Sequence, residues 1–326
     1  MPRRLSELGE HGWIATVVRR LGRPRGAVRV GPGDDAAALR VGGATLLVTT
    51  DSLVDGVHFR RGWLAPRALG ERAFRVNASD LAAMGGRPLA AVMALEVPPT
   101  TPVRTLDGIV AGFVADARRH GADLAGGNVT RGARLAVTVT LLGRAGRRIV
   151  RRAGARPGDL VCVTGALGAT GTAVHARRAG RTAPLPRVPD RLAAGGLLAT
   201  VASAMIDVSD GLLQDLGHVC RASRVAMRID AARVPVATAC RRRFGKRAPI
   251  VAATAGEDYE LAFTLARRRL PALARRLRRI GCRVTPIGVV LAGPPAVVLV
   301  DARGETVHPP RRGFDHLRLA GRRSRG

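Results

Sequence analysis

Lysine is almost missing from this chain. Lys246 is the only one, although Lys and Arg together number 54 against 24 Asp and Glu, a formal net charge of +30. Aromatic residues make up only 3%, so the cores must be built from Val, Leu, Ala and Ile. The basic stretches therefore have no interleaved rings on which unpaired bases could stack. The arginines run from Arg3 to Arg325 without forming a nucleic-acid module. This argues against a specific nucleic-acid partner, and a basic nucleic-acid-binding protein stays only as the rival from another class. A strongly positive field suits the attraction of anionic, phosphate-bearing substrates.

Other absences narrow the field further. The four cysteines, Cys162, Cys220, Cys240 and Cys282, form no C-x-x-C pair and show no metal-ligand spacing, so neither a zinc site nor a disulfide framework is expected. They read as small hydrophobes in a reducing compartment. No run of about 18 apolar residues occurs, which excludes a membrane-spanning helix. Met1 to Glu10 is charged and carries no apolar signal segment, so a cytoplasmic location is expected. There is no G-x-x-x-x-G-K-[ST], no protein-kinase signature set, no nucleophile elbow and no H-E-x-x-H.

What is present is a globular composition, 46% hydrophobic and 24% charged over 326 residues, enough for about two domains. Helical spacing marks Leu5 to Leu21, Pro66 to Met84, Pro102 to His120, Gly211 to Arg221 and Leu270 to Ile280. Strands are predicted at Ala36 to Leu39, Thr45 to Thr50, Ala90 to Val97, Ala133 to Gly143, Leu160 to Thr164, Ala204 to Val208, Leu261 to Leu265 and Val297 to Val300. The order lacks strict βαβ alternation, so the expectation is an α+β chain. An Arg- and Gly-rich stretch near 144 to 158 divides it into an N-terminal unit over 1–145 and a C-terminal unit over 146–326.

The scarce carboxylates are grouped. Eleven of the 24 acidic residues fall in five short segments: Asp34, Asp35, Asp51, Asp55, Asp80, Asp207, Asp210, Asp215, Glu257, Asp258 and Glu260. Hard cations such as Mg²⁺ take oxygen ligands and are often held by a few carboxylates together with substrate phosphates. Asp51 ends an apolar strand, Asn77 and Asp80 share a helix face, and Asp207 and Asp210 bracket a strand-to-helix transition. Taken singly, each is ambiguous. Asp210 fits a helix cap, Asp34-Asp35 a plain turn, Glu257-Asp258 a solvated loop and His58 a structural histidine. Gly126 to Gly132 and Gly165 to Gly171 fit either tight turns or loops whose N–H groups meet a phosphate.

In order, the segments GPGDDAA (31–37), TTDSLVDGVHF (49–59), NASDLAAMGGRP (77–88), GGNVTRG (126–132), RPGDLVCVTG (156–165), IDVSDGLLQDLGH (206–218), AGEDYELAF (255–263) and GFDH (313–316) resemble the thiamine-monophosphate kinase family. That family is similar to aminoimidazole ribonucleotide synthetase and selenophosphate synthetase, which remain the alternatives within the same superfamily. VDGVHF and GEDYEL favour the kinase, and no cysteine precedes Cys162 as selenophosphate chemistry would want. The resemblance implies a mixed α/β N-terminal domain forming a homodimer interface and a sandwich-like C-terminal domain. ATP and several Mg²⁺ ions would lie between them, and thiamine monophosphate would be the acceptor. It also implies metal-binding roles for Asp35, Thr49, Thr50, Asp51, Asp80, Asn128, Asp207 and Asp210. Nucleotide-binding roles fall to Gly127, Asn128, Arg152 and Ser209, and substrate contacts to His58, Glu257 and Phe314. No dedicated general base is implied. Asn128 departs from the family's usual Asp, keeping a carbonyl oxygen but losing a charge.

Overall fold

The computed structural model describes residues 4–22 and 24–315; His316, the last residue of the GFDH motif, lies outside them. The first half contains α1 (Leu5–Leu21), interrupted at Gly9, then β1 (Val28–Val30), β2 (Ala37–Val41) and β3 (Ala44–Val54). It continues with α2 (Pro66–Ala83), β4 (Arg87–Val97), α3 (Val103–Arg119), β5 (Asp123–Arg131) and β6 (Ala136–Arg144). The six strands make one mixed sheet in the order β1-β2-β3-β6-β4-β5, with β4 and β5 parallel. Along β3 the inward set Leu47, Thr49 and Leu53 is buried, whereas Thr50 and Ser52 are exposed. This is the period-two pattern of a sheet with one covered face. Helices α2 and α3 cover the buried face, with Phe74, Leu81, Ile109 and Phe113 in the core.

The second half runs β7 (Leu160–Thr164), α4 (Ala169–Arg178), α5 (Leu192–Leu198), β8 (Ala204–Asp207), α6 (Leu212–Ser223) and β9 (Ala226–Asp230). It ends with α7 (Thr238–Phe244), α8 (Ala248–Thr254), β10 (Leu261–Leu265), α9 (Leu270–Arg279), β11 (Val284–Leu291), β12 (Ala296–Val300) and β13 (Thr306–Val307). Its seven strands order as β13-β12-β9-β11-β7-β10-β8. Leu160–Thr164 and Leu261–Leu265 are buried at every position, as expected where helices pack on both sides. One apolar cluster joins α6 and α8 to this sheet, and another joins α5 and α9. The α+β expectation holds, as two mixed sheets with their own helices.

Helix α2 belongs to both halves. Its N-terminal turns lie against α3, and glycine makes this possible: a Cβ at Gly70 would meet Ile109 O at 1.9 Å, and one at Gly112 would meet Arg67 O at 2.0 Å. Its far end packs Ala82 and Ala83 among Leu198, Met205 and Phe263 of the second half. A Cβ on Gly195 of α5 would lie 2.1 Å from Ala82 O. Backbone thus rests on backbone at both ends of α2, and the site is built along it.

One segment departs from the sequence reading. Gly126 to Gly132 is neither a tight turn nor a loop; most of it is the edge strand β5. The register shifts beside Gly126, a bulge that glycine tolerates. Gly127 packs so closely on β4 that a Cβ would meet Met93 O at 1.9 Å.

Candidate active site

Five carboxylates from four separate segments converge between the two halves. Asp51 comes from β3, Asp80 from α2, Asp207 from the end of β8, Asp210 from the turn after it, and Asp35 from the loop before β2. The carboxylate oxygens of Asp35, Asp80 and Asp207 lie within 4.8 Å of one another. Asp51, Asp80, Asp207 and Asp210 line a cavity of about 340 Å³. Each strand or helix delivers its acid by its own periodicity: Thr49 and Asp51 share the covered face of β3, and Thr49 Oγ1 donates to Asp80 Oδ2 at 2.5 Å.

The cluster is held by few neutral donors. Ser79 Oγ donates to Asp207 Oδ2 at 2.8 Å and Ser209 Oγ to Asp207 Oδ1 at 3.3 Å. Arg152 Nη2 pairs with Asp35 Oδ1 at 2.8 Å, while the Arg152 backbone N–H donates to Asp34 Oδ1 at 2.6 Å. The other oxygen of Asp35, Oδ2, is buried with no hydrogen-bond partner in the protein. Burial, and then repulsion from Asp35, pushes the Asp207 carboxyl up to about 8. Burial and the Asp210 charge push Asp51 to about 6. Burial, with Asp51, Asp207 and Asp35 nearby, holds Asp80 well above the ordinary carboxylate range. Such a cluster is under-compensated on its own, and an unpaired buried oxygen on one of its members matches what a hard cation requires.

Around the acids, the AGEDYELAF segment ties the halves together. Glu257 accepts from Arg72 Nη2 of α2 at 2.9 Å, and Arg72 is 4% exposed. Tyr259 is buried against Val76 and Val188, with the Arg72 guanidinium 5.7 Å from its ring centroid. Glu260 accepts both Nε and Nη2 of Arg191. Glu257 and Tyr259 sit at φ 64° and 51°, left-handed conformations that cost non-glycine residues energy and cluster at functional sites. Their backbone N–H groups are held by Ser209 O and Val208 O, so the strained turn is fastened to the Asp207-Asp210 segment.

Other residues predicted from sequence fall into two groups. His58, Ser209, Glu257 and Phe314 line the cavity with the acids. His58 Nδ1 accepts from Val54 N–H at 3.1 Å, and the Phe314 N–H donates to Asp210 O at 2.9 Å. Arg152 sits one step back, behind Asp35. The Thr50 side chain is not brought in; it turns to the bare face of the sheet and donates to Val139 O. Gly127 and Asn128 are not brought in either. Asn128 pairs with Ala94, Ala94 with Thr138, and Thr138 with Ser52. That places Asn128 three strands from β3, roughly 14 Å at ~4.8 Å per strand.

Two further sequence readings change. Neither Ser209 nor Asp210 caps α6: the N-cap is Gly211, whose N–H donates to Asp215 Oδ2 at 2.9 Å. The Gly165 to Gly171 turn does not offer open N–H groups to a phosphate. Asp258 is buried there and accepts from Gly168 N–H at 2.7 Å, so an internal carboxylate already holds the N-terminus of α4. Burial pushes that carboxyl up to about 8. Trp63, Tyr259 and Arg72 were absent from the sequence-based set, although GEDYEL contains the tyrosine.

Comparison with known proteins decides the family. Residues 33–145 match the N-terminal domain of AIR synthase related protein, and residues 156–301 match its C-terminal domain. The thiamine-monophosphate kinase of Escherichia coli K12 is 34% identical, over 95% of this chain and 98% of its own. The chain belongs to the thiamine-monophosphate kinase family. The Pyrococcus horikoshii thiamine-monophosphate kinase is also 34% identical, over 88% of this chain and 91% of its own. Among solved structures, AaThiL complexed with AMPPCP and TMP superposes with a TM-score of 0.84 at 31% identity, covering 97% of this chain and 99% of that one. Membership in the thiamine-monophosphate kinase family accounts for the eight-segment order and for the two-sheet architecture.

Proposed function

We propose that this chain transfers the γ-phosphoryl group of ATP to the phosphate of thiamine monophosphate, giving ADP and thiamine diphosphate. The observation that carries the reading is the convergence of Asp35, Asp51, Asp80, Asp207 and Asp210 from distant segments beside one cavity. A relative with this fold is known with AMPPCP, an ATP analogue, and TMP. In the reaction, a terminal oxygen of the acceptor phosphate bonds to Pγ as the Pγ–O bond to ADP breaks. The acceptor oxygen is already ionised at neutral pH, so no residue has to remove a proton from it.

The obstacle is the meeting of two polyanions, and the residues fit divalent cations. Asp35, with its unpartnered buried Oδ2, Asp80 and Asp207 would hold Mg²⁺, with Asp51 and Asp210 at the cavity side and Thr49 oriented by Asp80. When bound, Mg²⁺ supplies positive charge between the triphosphate and the acceptor. Arg152, paired with Asp35 Oδ1, holds that carboxylate beside the cluster. Ser209 offers its hydroxyl to the nucleotide, and His58, Glu257 and Phe314 line the acceptor side.

The division at 145/146 belongs to the same reading, as does a homodimer. The bare sheet face carries Thr50, Ser52, Val92 and Ala94, and the edge strand leaves Val129 67% exposed, a surface a second copy would cover. Such a dimer is the setting in which Thr50, Gly127 and Asn128, on that face and edge, would reach a nucleotide or metal. Among the described residues no helix is long and apolar enough to cross a membrane, and a cytoplasmic location is part of the proposal. The test is incubation of the purified protein with ATP, Mg²⁺ and thiamine monophosphate, with thiamine diphosphate read by chromatography. No product under conditions where ATP binds would overturn it.

A further inference from the structure

The chain has two tryptophans, one tyrosine and six phenylalanines, and three of these few rings, Trp63, Tyr259 and Phe314, line the cavity that holds the acids. Phe314 and Tyr259 sit in recognised motifs. Trp63 does not: it lies in the loop between β3 and α2, and two guanidiniums pack on its ring. The Arg177 guanidinium of α4 lies 5.6 Å from its ring centroid and that of Arg60 lies 5.8 Å away. Arg177 is itself anchored, donating Nε to Ala183 O at 2.5 Å and Nη2 to Trp63 O at 3.3 Å. Trp63 lines the cavity and neither guanidinium does. An indole held this way is a preorganised flat wall.

Resting on the phosphoryl-transfer reading above, we propose that Trp63 is a specificity-determining residue that receives the neutral aminopyrimidine ring of thiamine monophosphate. The acceptor has two rings of different charge. Its phosphate arm is attached to the cationic thiazolium, and the aminopyrimidine is the far end. The phosphate belongs beside the aspartates and their cations, which draws the thiazolium toward Asp51, Asp210 and Glu257. The aminopyrimidine is then left for the apolar part of the lining, to which Leu53, Val57, Val76 and Trp63 contribute. The cation–π attraction of Trp63 is already shared by two guanidiniums, so a third cation there meets like charge. A neutral ring meets no such repulsion and gains offset stacking.

The test uses the full-length protein. Trp63→Leu should raise the KM for thiamine monophosphate by about tenfold, in keeping with the loss of one well-packed aromatic contact, with the KM for ATP within twofold of wild type. Trp63→Phe, which keeps a ring, should recover most of the difference. In a Trp13→Phe background Trp63 is the only tryptophan. Its emission should be quenched by thiamine monophosphate and much less by the thiazole monophosphate that lacks the aminopyrimidine. Equal quenching by the two ligands, no quenching by thiamine monophosphate, or an unchanged KM in Trp63→Leu overturns the assignment. Absence of turnover in the wild-type protein removes the phosphoryl-transfer reading instead, and the fluorescence comparison still decides this one.

Discussion

Replacing Asp207 with Asn should make the metal-free protein more stable and the enzyme nearly inactive. Asp207 is 2% exposed, and its carboxyl is pushed up to about 8 by burial and by Asp35. Between the ordinary carboxylate range and that value, the folded protein holds a proton that the unfolded chain releases. Stability contributed by this group is therefore lost as pH rises through the window. At pH 7 the cost is roughly 4 kcal/mol, at ~1.4 kcal/mol per unit. Asn keeps an acceptor for Ser79 and brings no charge to desolvate. Recovery of even ~1 kcal/mol raises Tm by about 2–4 °C in a protein of this size. Loss of an ionised ligand should at the same time shrink the Tm gain given by Mg²⁺ and lower kcat by ~10²-fold or more. Thermal denaturation in EDTA and in excess Mg²⁺ between pH 5 and 8, with thiamine diphosphate formation measured alongside, reads all three. A variant less stable than wild type in EDTA at pH 8, with its Mg²⁺ response and turnover intact, would refute the reasoning.

Asp51→Asn and Asp210→Asn should each cut kcat by at least ~10²-fold through lost transition-state electrostatics; near-normal turnover in both contradicts the proposed metal roles. Burial, with Arg152 next, depresses the His218 imidazole to about 3. The unfolded chain therefore takes up a proton that the folded one refuses, and stability falls as pH drops from the ordinary histidine range toward 3. His218→Gln should flatten that acid limb when urea midpoints at pH 4 and 7 are compared, and an unchanged slope counts against it. Gly112→Ala should cost about 1–3 kcal/mol, the usual penalty for forced overpacking, because its Cβ meets Arg67 O at 2.0 Å. A urea midpoint equal to wild type would show that α2 and α3 can part without loss.

The architecture was legible where period and punctuation agreed. Pro66 and Gly85-Gly86 frame α2 within one residue of its observed end, and the apolar run Thr45 to Thr50 after Gly42-Gly43 marks β3. Strand β5 was hidden because Gly126 and Gly127 suggest a loop, while the strand exists only through pairing with β4. Helices α5, α7 and α8 are short and Ala- or Arg-rich, with little periodic signal; their helicity comes from packing against α2, α4 and α6. In the site, the acids were legible because carboxylates are scarce in this chain. The orientation of Thr50 was not, since one strand carries both it and Thr49, and only the sheet's covered side separates them. The role of Asp258 as an internal cap depends on a fold that brings it to Gly168 from 90 residues away. Trp63 carries no motif, and only the folded cavity shows where its ring lies.

The glycines along α2 carry a consequence for how this protein can vary. Gly70, Gly112 and Gly195 do not line the cavity, yet each lets a neighbouring main chain lie flush against its helix. The beam that bears Asp80, Ser79 and Arg72 is therefore bolted at points remote from the chemistry. A single methyl inserted at a bolt displaces the whole beam, because close-packed backbone has no side chain to absorb the shift. Engineers who spare only the acids would meet an enzyme whose least conspicuous residues are among its least replaceable.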